Sequence, residues 1–140
     1  MKKKKIDIEY TLDFDLYGVS CTLKPYKLAW ELNRCLNINL IKSEDYEVVH
    51  KTNAASSHLH YSQTTTHTLV KLLQNKPVEE SEERNLLLPE LPRFDFILLA
   101  RGEAYADSNR LQELLRNIPS VELVAFIPLT ALKSKEHFIF

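Results

Sequence analysis

The sequence predicts an α+β fold: a mixed, largely antiparallel sheet of five to six strands with two helices, in a ferredoxin-like arrangement carrying an added hairpin. Three observations lead there. Residues 94–127 read as strand, helix, strand; residues 25–36 carry a helical apolar stripe; and residues 57–73 alternate as a hairpin. The two strands of the strand–helix–strand unit should run parallel with a right-handed crossover.

Taken in order, Asp13–Cys21 alternates weakly, with Phe14 and Leu16 on one face and Tyr17, Val19 and Cys21 on the other. It reads as a strand with a bulge or bend at Tyr17-Gly18. Pro25 suits the first helical position, where an N–H has no partner anyway. Leu28, Ala29, Leu32, Cys35 and Leu36 then recur at helical spacing, and Asn37 is a plausible stop. Tyr46–His50 reads as a short strand. In Ser57–Leu73, a turn at Thr64 and Thr65 puts Leu59, Tyr61, Val70 and Leu72 on one face. His58, His60, Ser62, His67, Leu69 and Lys71 then fall on the other, a mostly polar face. A two-residue loop favours Gly or Asn, which are missing, so a longer type I loop is equally compatible.

Phe94–Ala100 is a continuous apolar strand apart from Asp95, which predicts burial on both faces. Asp107 or Ser108 caps a helix whose stripe is Leu111, Leu114, Leu115 and Ile118, ended by Pro119. Val121–Ile127 is another apolar strand. The 140 residues make one domain, 1–140, long enough to bury roughly two-thirds of the unfolded surface. Within it, residues 1–5 form a basic tail (Lys2 to Lys5). Residues 75–85, with four glutamates and one apolar side chain, read as a mobile acidic loop.

Composition excludes several functions. Two glycines, Gly18 and Gly102, are too few for a phosphate-cradling loop or a dinucleotide fingerprint. A formal charge of −1 argues against a dedicated nucleic-acid binder. No strictly apolar run exceeds five residues, so no membrane span is expected. Asp7, Glu9, Asp13 and Asp15 stand where a signal peptide would be apolar, and Cys21 and Cys35 suggest no disulfide framework. A cytoplasmic location is expected, and no cofactor.

Candidate chemistry is sparse. His58 and His60 share a strand face, and His67 would return to it on the partner strand, a set able to hold Zn²⁺ or Cu²⁺. Against this, no Asp or Glu lies between Thr52 and Pro77, and the plainer reading is a solvated strand face. Glu90 and Asp95 are better suited to structural roles than to acid–base work. Glu90, after Pro89, can cap backbone N–H groups of a turn, while Arg93 or a backbone amide can satisfy Asp95. Arg101, Gly102 and Tyr105 leave the end of a strand toward a helix, where Arg101 and Tyr105 can grip a small anion or a partner's carboxylate. The plainer reading is a βα turn with Gly102 supplying an unusual φ. Tyr17, Tyr26 and Trp30 offer stacking faces but fit a core equally well. No GxSxG, HExxH or SxxK occurs.

Leu88–Phe96, LPELPRFDF, resembles the signature of the IPExxxVDY family, small bacterial proteins of unassigned function. Pro89, Glu90 and Asp95 match its named positions, while Leu88, Phe94 and Phe96 replace Ile, Val and Tyr. DFDLYGVS, YKLAWELN and the ending LKSKEHFIF resemble the family's start and close. The resemblance implies a cytoplasmic protein whose Pro89, Glu90 and Asp95 form a turn-and-strand lock, and no reaction. The expectation is a non-catalytic protein-interaction module, with a homodimer joined through sheet edges as one form of it. An RNA-associated protein using Lys2–Lys5, Lys24, Lys27 and Arg34 is the alternative, ahead of a metal-binding protein using the hairpin histidines.

Overall fold

The computed structural model describes residues 14–50, 55–78 and 86–138. Its elements are β1 (Asp15–Cys21), α1 (Pro25–Leu36), β2 (Ile41–Lys42), β3 (Tyr46–Val49), β4 (Ala55–His58), β5 (His60–Thr64), β6 (Leu69–Gln74), β7 (Phe96–Arg101), α2 (Ser108–Arg116) and β8 (Val121–Ile127). Short 3-10 turns lie at Glu103–Tyr105, Leu129–Ala131 and Lys135–Phe138. The main sheet has six strands in the order β2-β5-β6-β7-β1-β8, and β3 and β4 form a separate pair. β1-α1-β6-β7-α2-β8 is the expected βαββαβ core, extended beyond β6 by β5 and β2. The expected largely antiparallel sheet of five to six strands is thus present, and its ladders are all antiparallel. β7 and β8 do run parallel to each other, but β1 lies between them.

Local chemistry accounts for the helices. Pro25 opens α1 after extended Lys24, and Asn37 ends it at φ 56°, ψ 52°, its N–H donating to the Asn33 carbonyl. Leu28, Ala29 and Leu32 are the buried stripe. The Asp107 carboxylate caps α2 by accepting from the Arg110 N–H at 3.2 Å, and Leu111 and Leu115 are buried.

Both faces of the sheet are covered. On one side, Tyr17, Val19, Leu72 and Leu98 meet Leu28, Leu32, Leu111 and Leu115 of the helices. On the other, Leu16, Leu73, Ile97 and Leu99 meet Val48, Leu87, Leu88, Phe94, Leu132 and Phe138. The unbroken apolar run of β7 follows from this, since its side chains alternate between two dry layers. Fully burying each of its leucines contributes about 1.5–3 kcal/mol.

The bend expected at Tyr17-Gly18 is absent. β1 pairs with β7 without interruption from Asp15↔Ala100 to Val19↔Phe96, and the irregularity falls at Ser20/Cys21 against β8. Gly18 has a packing reason instead: a Cβ there would lie 2.5 Å from the ring of buried Phe94. The missing side chain is the seat for that ring.

The hairpin also departs from expectation. Its first strand breaks at Leu59, so β4 pairs with β3 while β5 pairs with β6. The turn is not Thr64 and Thr65 but the four residues Thr65–Thr68, closed by the Thr65 N–H on the Thr68 carbonyl at 2.9 Å. Tyr61 and Leu72, now direct partners, still share the helix-side face as expected, because a shift of even length preserves the faces. The opposite face is not solvated: His60 of β5 is buried there, and His58 is buried as part of β4 itself. The acidic loop is corrected at its start, where Asn75 is fully buried. Residues 79–85 and the basic tail lie outside the described residues.

Candidate functional site

The three histidines weighed as a metal set, His58, His60 and His67, do not converge. His67 is exposed in the Thr65–Thr68 turn, whereas His58 is fully buried and His60 nearly so. Among the described residues, no three His, Cys, Asp or Glu side chains stand as a metal-binding group. What the fold brings together is His50, Ser56 and His58, with His137 beside them. The Ser56 hydroxyl is 2.8 Å from His50 Nε2 and 2.8 Å from His58 Nε2. His58 Nδ1 faces the carbonyls of Gln74 at 3.0 Å and Lys76 at 3.2 Å, so it carries the proton. His58 Nε2 then accepts from Ser56, and Ser56 in turn accepts from His50 Nε2–H. The His50 and His137 rings stand edge to face at 5.1 Å. This hydroxyl–imidazole relay has the bonding of an activated nucleophile, but Ser56 is only 8% exposed and His58 not at all. His50 and Ser56 escaped the sequence reading; the signal was two polar residues alternating with Val48 and with His58 on short strands.

Burial lowers the pKa of His50, His58 and His60 below that of a free imidazole. Neighbouring His137 adds to the effect at His50. At His60 it is Lys71, whose Nζ is 3.4 Å from Nε2. His60 Nδ1–H donates to the Glu44 carbonyl at 3.1 Å.

The motif carboxylates point to separate partners. Glu90 Oε2 accepts from the N–H groups of Lys133 (2.8 Å) and Ser134 (2.9 Å), and Oε1 from the Ser134 hydroxyl (2.9 Å). It thus fastens the C-terminal turns, and its own backbone N–H also bonds the carboxylate. Burial opposes its charge, yet the hydrogen bonds prevail and hold its carboxyl below the usual range. Asp95 is satisfied by the Cys21 N–H at 3.0 Å, the backbone-amide alternative of the two expected, and by the Ser20 hydroxyl at 3.4 Å. Pro89 is exposed in the turn between these layers.

Arg101, Gly102 and Tyr105 do line one cleft, of about 870 Å³, together with Phe14, Asp15, His67 and Glu103. Three segments meet there because β6, β7 and β1 are neighbours at this end of the sheet. Gly102 allows it: φ is 123°, and a Cβ would lie 2.5 Å from the His67 carbonyl oxygen.

At the sheet margin, β8 pairs with β1 alone among the described residues. Leu123 and Phe126 are 40% and 39% exposed. Beside the strand runs a mainly apolar groove of about 880 Å³, lined by Leu91, Pro92, Phe94, Ala125, Ile127 and Leu132, with Glu90 and Arg93 also on its wall. Tyr17 lies in the core, edge-on to Phe126, and burial with nearby Asp15 and Asp107 pushes its phenol up to about 12. Tyr26 and Trp30 are instead exposed on α1, with the Arg34 guanidinium 5.3 Å from the Trp30 ring. No helix among the described residues is long and apolar enough to cross a membrane. No protein-family model matches the chain, and no curated protein matches it either.

Proposed function

We propose that this protein is a non-catalytic interaction module that pairs with a second copy of itself through β8. The observation that carries the reading is the outer edge of β8, seven residues with no lysine and no proline, the usual devices that keep an edge single. The strand is self-complementary. An antiparallel pair centred on Val124 sets Leu123 of each copy opposite Ala125 of the other, and Glu122 opposite Phe126, so like charges never face. Leu123 of the second copy then lies on the same face as Ala125, next to the groove that Ala125 and Ile127 line. The near-neutral charge of −1 suits self-association. The resemblance of Leu88–Phe96 to the IPExxxVDY signature agrees, since Glu90 and Asp95 are occupied in holding layers together.

Light scattering after size exclusion should give a dimer at micromolar concentration. Leu123→Lys, at an exposed position, should return a folded monomer whose unfolding midpoint, unlike that of the wild type, does not depend on protein concentration. A wild-type monomer under these conditions would overturn the proposal.

Single-stranded RNA is the second reading, favoured by the exposed Tyr26 and Trp30 of α1, flanked by Lys27 and Arg34 on the helix and by Lys24 just before it. Affinity for an oligonucleotide should then fall steeply with salt and be lost in Trp30→Ala; absent or salt-insensitive binding removes it.

A further inference from the structure

We propose that the cleft at the end of β7 binds a small zwitterion, a free α-amino acid with an apolar side chain. The chemistry of its walls carries the assignment. Arg101 supplies a fixed positive charge, and Asp15 and Glu103 supply carboxylates. A simple anion drawn to Arg101 would meet those two acids, and a simple cation drawn to the acids would meet the guanidinium. A ligand with a carboxylate and an ammonium on one carbon answers both. Arginine holds carboxylates in its planar fork, and an acid pair holds an ammonium. Phe14 and Tyr105 add aromatic surface to the same walls, suited to an apolar side chain. The volume is in the range of small-molecule sites.

Two further features fit. Burial raises the carboxyl pKa of Asp15, a cost that a neighbouring ammonium would offset. The walls come from three neighbouring chain segments, and with Asp15 opposite Ala100 and Leu69 opposite Arg101, two of the three charges, Asp15 and Arg101, are placed by the sheet, while Glu103 stands in the short turn after β7. The site is independent of β8 pairing and stands or falls without it.

The test uses the full chain and three probes: L-phenylalanine, 3-phenylpropanoate, which lacks the ammonium, and 2-phenylethylamine, which lacks the carboxylate. Backbone amide shifts and titration calorimetry should report L-phenylalanine binding, with shifts at Gly102 and Tyr105. Each truncated probe should bind about tenfold more weakly or worse, the equivalent of one lost charge-assisted contact. Arg101→Gln and Asp15→Asn should each weaken L-phenylalanine to a similar degree, with the fold checked by circular dichroism. If Arg101→Gln fails to fold, Asp15→Asn decides. No binding of L-phenylalanine, equal binding of a truncated probe, or binding unchanged in the variants overturns the assignment.

Discussion

Replacing Asn75 by Ala should cost about 3–4 kcal/mol of stability, a large loss for one polar side chain. Asn75 is fully buried, and its amide meets three backbone groups. Its Nδ2 donates to the carbonyls of Leu91 at 3.1 Å and Phe94 at 2.9 Å, and its Oδ1 accepts from the Leu88 N–H at 2.8 Å. Its own backbone adds two more links, N–H to the Asp95 carbonyl and carbonyl from the Leu87 N–H. One residue thus ties the 87–95 segment to the end of β6. Alanine removes the side-chain partner of the Phe94 carbonyl and of the Leu88 N–H, at about 1–3 kcal/mol each before relaxation, while the Leu91 carbonyl keeps the Phe94 N–H at 3.4 Å. Asp should do no better, because a carboxylate cannot donate to the two carbonyls. Urea unfolding measures the effect, with exposed Lys76→Ala as a neighbour expected to change little. A loss under about 0.5 kcal/mol in Asn75→Ala would show that the segment is held otherwise.

The contrast between Asn75 and its surroundings indicates which parts of this fold can be read from a sequence. Pro25, Asn37 and Asp107 act on neighbours within one helical turn, so their roles are written locally. The run Phe96–Ala100 announced burial on both faces because nothing polar interrupts it. Asn75 stands between an apolar strand and an acidic stretch, and its partners lie 13 to 19 residues away. No pattern in its vicinity distinguishes a stitch from a loop residue. Glu90 is similar: its capping role was legible, but its partners Lys133 and Ser134 lie 43 and 44 residues on. Alternation in Ser57–Leu73 sorted the side chains into two faces and could not say that a second layer, β3 with β4, covers the polar one. In the cleft, Arg101, Gly102 and Tyr105 share one loop and were found together. Asp15 and His67 reach them only through the strand order β6-β7-β1. Contacts set by topology are invisible to any window along the chain.

That covered polar face gives the protein a marked sensitivity to acid. His50, His58 and His60 all have lowered pKa values in the folded state, first because of burial. Unfolding returns each to about 6.5, so the unfolded chain binds more protons and acid favours it. The stability these groups contribute is fully present above about pH 6.5 and declines as pH falls through the folded-state values. The surroundings offer little relief. His50 faces His137, and His58 faces both, while its Nδ1–H donates to the Gln74 and Lys76 carbonyls. His60 faces Lys71 and Lys42, which repel a second charge, with Asp45 as the nearby acid that favours it. Each imidazole protonated only on unfolding steepens the dependence by about 1.4 kcal/mol per pH unit. Urea unfolding between pH 7.5 and 5 should therefore show a slope above about 1.4 kcal/mol per unit at its steepest, because more than one imidazole takes part. Glu90, with its lowered pKa, adds a separate loss in the same direction at lower pH, as its carboxylate is protonated. His58→Gln keeps an amide in the Ser56 and carbonyl network while removing a titrating group, so its slope should be shallower even where its overall stability is reduced. A flat profile across this range in the wild type, or an identical slope in His58→Gln, would refute the role given to the buried imidazoles.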